Sequence, residues 1–337
     1  MKKLFLVLLS LLLVSATVIN IELFLRRIDY TYYPLHIQVL GATTFGDETV
    51  DKSDWRYFHI FKDKAFIYDP ILIWKPSPHF QIDTDGDPKN FFNSLGYPGP
   101  LVSEDNPEKK YRIVALGDSN TLGLQLYDAT TNREVSWPAY LERYLGTQFQ
   151  VINAGVWGYS SYQMQQRFYE SLAFQPSMVI ISPSGNDGHQ VGIPDKLYST
   201  WGVALDRLLI SYKLAQLFQA NVDKAKSMLL PVDQKVLVPR VSLHDYEEIL
   251  KDIVRESSKR SIKLVFMTRP HQEAFVPNYN AKPYNEAIRR IAIEYAIPLI
   301  DIDEKFKTRN ELFLDGTHFN QAGLGEMAQF ISEGISL

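Results

Sequence analysis

Short apolar runs alternate with helical stripes from about residue 111 to the carboxyl end. Ile113–Leu116, Phe149–Asn153, Met178–Ser182, Lys263–Thr268 and Pro298–Ile300 are brief and nearly continuous in apolar character, the pattern of strands buried on both faces. Between them, apolar positions recur at the i, i+3, i+4, i+7 spacing of a helix with one buried face. The first such stripe is Trp137, Tyr140, Leu141, Tyr144 and Leu145; the second is Tyr246, Ile249, Leu250, Ile253 and Val254; the third is Tyr284, Ala287, Ile288, Ile291 and Tyr295. A fourth, Leu324, Met327, Ala328 and Ile331, follows Asn320, which is placed to cap it. Strands alternating with helices predict an α/β fold, a three-layer α/β/α sandwich around a central parallel sheet of about five strands.

The amino terminus follows another pattern. Leu4 to Ile21 carry no charge, Glu22 interrupts, and Arg26-Arg27 close the segment. The uncharged stretch reaches the length of a membrane-spanning helix and exceeds the apolar core of most cleaved signals. Val14-Ser15-Ala16 offers a small-residue cleavage site, so residues 1–27 read as a signal anchor or a signal peptide, with membrane contact through residues 4–25. The short leading flank with Lys2 and Lys3 predicts a cytoplasmic amino terminus and an extracytoplasmic body; cleavage would instead give a secreted protein.

Residues 28–110 show no helical period and are rich in Tyr, Phe, Trp, Asp and Pro, as in Tyr68-Asp69-Pro70 and Trp74-Lys75-Pro76. They are expected to form an irregular, ordered lead-in packed on the main domain at 111–337. Asp83-Thr84-Asp85-Gly86-Asp87 lacks the glycine placement and closing Glu of a calcium loop and reads as a polar turn. At about 188–243 the strand–helix rhythm pauses. Leu205, Leu208, Leu209, Tyr212, Leu217 and Phe218 mark an insertion that packs on the core, forms a mobile lid or faces a membrane, the first being the usual place of such a stripe.

Composition narrows the chemistry. A net charge of -4 without a long basic run excludes nucleic acid as an expected partner. With 0 Cys there is no disulfide, thiolate nucleophile or Cys-based zinc site. No His pair or carboxylate pair has metal-ligand spacing, so neither metal nor cofactor is expected. His36, His59, His79 and His244 have no reactive setting in the sequence. His189 and His271 follow sheet-edge loops and stand as candidates for substrate contact.

What remains is a hydroxyl, an imidazole and a carboxylate. Gly117-Asp118-Ser119-Asn120 follows the first predicted strand, at the edge where open α/β sheets hold ligands. Asp315-Gly316-Thr317-His318 supplies an acid and a base three residues apart near the carboxyl end. A serine hydroxyl needs a base to become a nucleophile, and that base needs an acid to orient it. Two more loops, Asn153-Ala154-Gly155-Val156-Trp157-Gly158-Tyr159-Ser160 and Ser184-Gly185-Asn186-Asp187, follow predicted strands and bring glycine backbone and an amide side chain to the same edge.

These blocks, in this order, resemble the SGNH (GDSL-type) hydrolase superfamily over roughly 111–337. Asp69-Pro70, Trp74, Pro76 and Asn93-Ser94-Leu95-Gly96-Tyr97 resemble the lead-in of its membrane-anchored bacterial members. The resemblance implies a flavodoxin-like sheet, Ser119 as nucleophile, His318 as base and Asp315 orienting it. It implies an oxyanion hole from the Ser119 backbone, the Gly158 backbone (Gly155 less so) and the Asn186 amide. It makes Asp118 a structural residue bonding within its turn and Asp187 a loop brace. Ser184 departs from the family, which usually has Gly there.

The implied activity is hydrolysis of an acyl or acetyl ester outside the cytoplasm, through an acyl-enzyme. An O-acyltransferase acting on a cell-surface glycan would use the same residues. Related acetyltransferases carry their Asp-x-His ahead of the Ser, whereas here it comes last, which favours hydrolysis. A surface-binding protein that kept the fold without the chemistry is a third reading, opposed by the intact Ser119, Asn186 and His318.

Overall fold

The computed structural model describes residues 2–28, 30, 65–69, 71–84, 87–123, 127–128, 133–183, 185–191, 194–200, 212–229, 238–270, 281–315 and 317–335. His36, His59, His271, Ser184 and the Leu205–Leu209 stripe lie outside the described residues.

Five parallel strands form the centre: β1 (Tyr111–Leu116), β2 (Phe149–Asn153), β3 (Met178–Ile181), β4 (Lys263–Met267) and β5 (Leu299–Ile300). Their spatial order is 2-1-3-4-5, and every pairing is parallel. This is the flavodoxin-like order, whose switch point lies between β1 and β3. The strands match the predicted runs to within two residues at either end.

Side-chain alternation splits the core into two layers. Val114, Leu116, Ile152, Val179, Ile181, Leu264 and Phe266 face one side. They pack against α4 (Ser161–Ser171), α6 (Leu243–Lys259) and α7 (Lys282–Glu294). Ile113, Ala115, Met178, Ile180, Val265 and Met267 face the other, against α3 (Trp137–Leu145) and α8 (Gln321–Gly334). The protein is thus an α/β/α sandwich. The predicted stripes of α6 and α8 are buried throughout, and Asn320 caps α8 through the Gly323 N–H at 3.0 Å. In α3 and at the exit of α7 the stripe outruns the core, leaving Tyr144 and Tyr295 exposed.

The lead-in is more regular than its sequence suggests. Phe66–Asp69 pairs antiparallel with Ile73–Pro76, and Gln81–Thr84 with Asp87–Asn90. Four-residue strands interrupted by Pro and Asp are too short to show an alternation of period two. The first hairpin is held by a cluster of its own, in which Phe66, Trp74 and Phe92 pack on Val156, Trp157 and Tyr159.

Helix α1 (Lys2–Arg27) is about 39 Å long at 1.5 Å per residue, enough to cross a hydrocarbon core of about 30 Å. Its mean hydropathy peaks at 2.6, and the apolar window is wholly exposed. Its end meets α5 (Lys213–Leu229), an amphipathic helix. There the Glu22 carboxylate accepts the N–H groups of Lys213 at 3.1 Å and Leu214 at 2.8 Å. Those are donors that the first turn of a helix leaves open.

Candidate active site

The carboxyl end of β1 carries Gly117, and space alone requires glycine there. A Cβ would lie 2.1 Å from Thr121 Oγ1 and 3.0 Å from the Ser182 carbonyl. The chain then turns into a single helical turn, α2 (Ser119–Leu122), with Ser119 first. Ser119 is nearly buried, yet its Oγ lies 2.7 Å from His318 Nε2.

On the far side of the ring, His318 Nδ1 lies 2.8 Å from Asp315 Oδ2 and 2.9 Å from Oδ1. The Asp315 carboxylate also accepts the backbone N–H of His318 at 2.9 Å and of Thr317 at 3.2 Å. Burial works to raise this carboxyl, but the bond and charge of His318 and the two N–H groups outweigh it, and its pKa falls well below the ordinary range. Asp315 therefore stays ionised, and His318 is held with Nε2 toward the serine. Asn120, one residue past Ser119, donates from Nδ2 to the Thr317 carbonyl at 2.7 Å and ties the two blocks together.

Asp118 does more than bond within its turn. It is fully buried, and Oδ1 accepts the Asn120 N–H at 3.0 Å. The same oxygen pairs with Arg269 Nη1 at 2.5 Å. Oδ2 accepts the Gly185 N–H at 3.0 Å and an Asn186 Nδ2 hydrogen at 3.1 Å. One carboxylate thus joins the turns after β1, β3 and β4. The bond within the turn is present, and the longer-range partners are added because the neighbouring strands β3 and β4 end at the same level as β1.

The glycine loop divides its glycines by role. A Cβ on Gly155 would lie 2.3 Å from the Leu122 amide nitrogen, so this glycine seats the loop against α2, and its N–H is already given to Asn153 Oδ1 at 3.0 Å. Gly158 has φ +70°, a left-handed conformation that suits glycine. Among the described residues, no protein acceptor takes the N–H of Gly158 or of Ser119. Asn186 differs: besides its bond to Asp118, Nδ2 donates to the Tyr159 carbonyl at 3.1 Å. Both partners only accept, which fixes the amide's orientation. Serving a substrate oxyanion would require one of these bonds to be exchanged.

Asp187 is buried, accepts the Ser161 N–H at 2.7 Å and braces the loop against the start of α4. Burial pushes its carboxyl up to about 7, against the opposing pull of Ser161 and Arg240. His189 hydrogen-bonds through its backbone to Asn186 and Arg240. Burial, with the charges of Arg240 and Arg269, pushes its imidazole down to about 4, so it is neutral near pH 7. Among the described residues no group of three His, Asp or Glu could hold a metal ion.

A family model for GDSL-like lipases and acylhydrolases matches residues 115–324. The chain belongs to this family. It is an ester-hydrolysing enzyme, and the match takes in every block from the end of β1 to the start of α8. Several solved structures are similar. A lipase/acylhydrolase from Enterococcus faecalis is 18% identical over 66% of this chain and 93% of its own, with a TM-score of 0.43. A GDSL-like lipase from Bacteroides thetaiotaomicron is 16% identical over 67% and 87%, with a TM-score of 0.41. An acetyl xylan esterase, AlAXEase, is 18% identical over 67% and 100%, with a TM-score of 0.45. No curated protein matches the chain.

The structural roles of Asn120, Arg269, Trp74 and Arg240 escaped the sequence reading. Asn120 stands inside the Gly-Asp-Ser-Asn block and Trp74 inside the lead-in resemblance, but neither receives a role at the site from it; Arg269 and Arg240 have no local signal.

Proposed function

We propose that this enzyme is a serine esterase that cleaves an acyl or acetyl ester through an acyl-enzyme on Ser119. The observation that carries this reading is the continuous relay of Ser119 Oγ to His318 Nε2 at 2.7 Å and His318 Nδ1 to Asp315 at 2.8 Å. Ser119 attacks the ester carbonyl while His318 takes its proton. Asp315 stabilises the imidazolium so formed. The N–H groups of Ser119 and Gly158 are the donors best placed for the developing oxyanion, with Asn186 joining by exchange of a bond. His318 then returns its proton to the leaving alcohol, and water completes the cycle by the same route.

On this reading the chain comprises an anchor at 1–27, a lead-in at 28–110 and a hydrolase domain at 111–337 with an insertion at 188–243. The anchor is retained, and the body lies outside the cytoplasm with Lys2 and Lys3 inside. The bond from Glu22 to the start of α5 supports retention, because cleavage after Ala16 would free the remainder of α1 from the membrane. An apolar groove between the two helices, lined by Val18, Ile19, Leu23, Leu214, Leu217 and Phe218, fits a lipid-facing junction.

The test is turnover of short acyl nitrophenyl esters by the full chain in nanodiscs. Ser119→Ala is expected to lower kcat by on the order of 10⁴ or more with an unchanged melting temperature. Parent-like turnover in that variant refutes the proposal. Adding an acetylated sugar and a sugar acceptor separates water from a glycan hydroxyl as the acyl acceptor.

A further inference from the structure

Gly158 has both flanking peptide planes pinned, and both pins come from outside the strand–loop–helix unit that carries it. The plane between Trp157 and Gly158 holds the N–H assigned above to the oxyanion. Its carbonyl, on Trp157, accepts the indole Nε1–H of Trp74 at 2.9 Å in a buried bond. The C=O and N–H of a trans peptide point in opposite directions, so fixing one aims the other. The next plane, between Gly158 and Tyr159, is fixed by Arg240, whose Nη1 donates to the Gly158 carbonyl at 2.6 Å.

Each clamp is itself restrained. The Tyr159 hydroxyl donates to the Trp74 carbonyl at 2.8 Å, which ties the hairpin back to the loop. Arg240 is fully buried, paired with Asp195 at 2.7 Å and bonded to Gln163 Oε1 at 2.8 Å. Its guanidinium lies 5.5 Å from the centre of the Trp74 ring. Trp74 is 3% exposed and belongs to the lead-in, 41 residues before the family match begins at residue 115.

We infer that Trp74 is a positioning residue of the oxyanion hole: its indole N–H, through the Trp157 carbonyl, aims the Gly158 N–H at the developing charge. The lead-in is then part of the catalytic apparatus and not only a tether. The inference rests on the reading of Ser119 and Gly158 proposed above. A misaimed donor weakens the transition state more than the bound ester, because the donor is complementary to the oxyanion and not to the ground-state carbonyl.

The experiment uses Trp74→Phe in the full-length protein, which keeps an aromatic ring and removes the N–H. We expect kcat on a short acyl nitrophenyl ester to fall by about tenfold to a hundredfold. KM should stay within about twofold, and the affinity for an arylboronic acid, which forms a tetrahedral adduct on the serine, should weaken by the same factor as kcat. Phe66→Leu removes a ring that packs on Trp157 without touching a hydrogen bond. It should lower the melting temperature while leaving kcat within about twofold. A Trp74→Phe enzyme with parental kcat and boronate affinity overturns the inference, as does an equal loss of kcat in Phe66→Leu. If Trp74→Phe does not fold, Tyr159→Phe reads the same coupling through the Trp74 carbonyl. It should lower kcat several-fold at unchanged KM, and parental kcat overturns the inference. Ser119→Ala measured alongside separates the two levels. An inactive Ser119→Ala beside an unaffected Trp74→Phe removes only the brace; an active Ser119→Ala removes the site assignment itself.

Discussion

Replacing Asp118 by Asn isolates the interaction that holds three sheet-edge turns together. Asp118 is fully buried and its partner Arg269 is 4% exposed, so the substitution leaves a guanidinium in the core without its counter-charge. At an effective dielectric of about 20 and a charge separation of about 4 Å, the pair is worth about 4 kcal/mol. That agrees with the roughly 3–5 kcal/mol lost when one partner of a buried pair is removed. A second loss follows from valence. The carboxylate accepts from Asn120 and Arg269 on one oxygen and from Gly185 and Asn186 on the other. An amide has one oxygen, so either orientation sets an NH₂ against a pair of donors.

The expected destabilisation is about 4–6 kcal/mol, a large part of the stability of a typical domain. The assay is thermal melting of the full chain in nanodiscs, followed by tryptophan fluorescence. For a domain of this size the midpoint should fall by roughly 8–24 °C. The discriminating arm is a double-mutant cycle with Arg269→Gln. If the two charges act mainly on each other, the double variant is less damaged than the sum of the singles, with a coupling of about 2–4 kcal/mol. A coupling below about 0.5 kcal/mol would refute the argument, because the buried pair would then not be the source of the loss.

Two further outcomes follow from the same loops. A raised carboxyl pKa means stability is fully present below the unfolded value of 3.8 and is lost as pH climbs through about 7, so the parent weakens over that window and Asp187→Asn does not. Melting at pH 5 and pH 8 should show the variant gaining about 2–3 kcal/mol on the parent at the higher pH, and parallel changes would count against a buried, neutral Asp187. Gly155→Ala places a Cβ 2.3 Å from the backbone of α2 and should cost about 1–3 kcal/mol of stability while lowering kcat by displacing Ser119; an active, fully stable variant would show that the loop has slack there.

Periodicity made the sandwich legible because each central strand and each long helix buries a face that repeats along the chain. The relay was legible because its parts are local: Asp315 and His318 sit on one tight turn, and Ser119 follows a strand directly. The supports were not legible, because they act across distances that leave no pattern. Trp74 reaches its carbonyl 83 residues away, and Arg240 reaches Gly158 across 82. Arg269 meets Asp118 across 151. The lead-in resemblance marks Trp74 but not the carbonyl it reaches, and an Arg after Pro239 looks like any other Arg until the sheet edge gathers the loops. The first lead-in hairpin escaped for a related reason: it is held by packing of Phe66 and Trp74 on the glycine loop, not by alternation within strands of four residues.

The site therefore divides into halves with different supports. The proton-relay half is tied together within the family core. Asn120 holds the Thr317 carbonyl, Asp315 holds His318, and Arg269 holds Asp118. The glycine-loop half leans on Trp74, which lies outside the family match at 115–324, and on Arg240 and Asp195, which lie inside it. Helix α5, which lies between Asp195 and Arg240 in the chain, meets the end of α1 through Glu22. On the roles proposed above, nucleophile generation and oxyanion stabilisation have separate anchor points, so changes around Trp74 or Arg240 should retune the second without disturbing the first. Differences in rate or acyl preference between members that share the four blocks should then follow the segments that clamp Gly158 more closely than the blocks themselves.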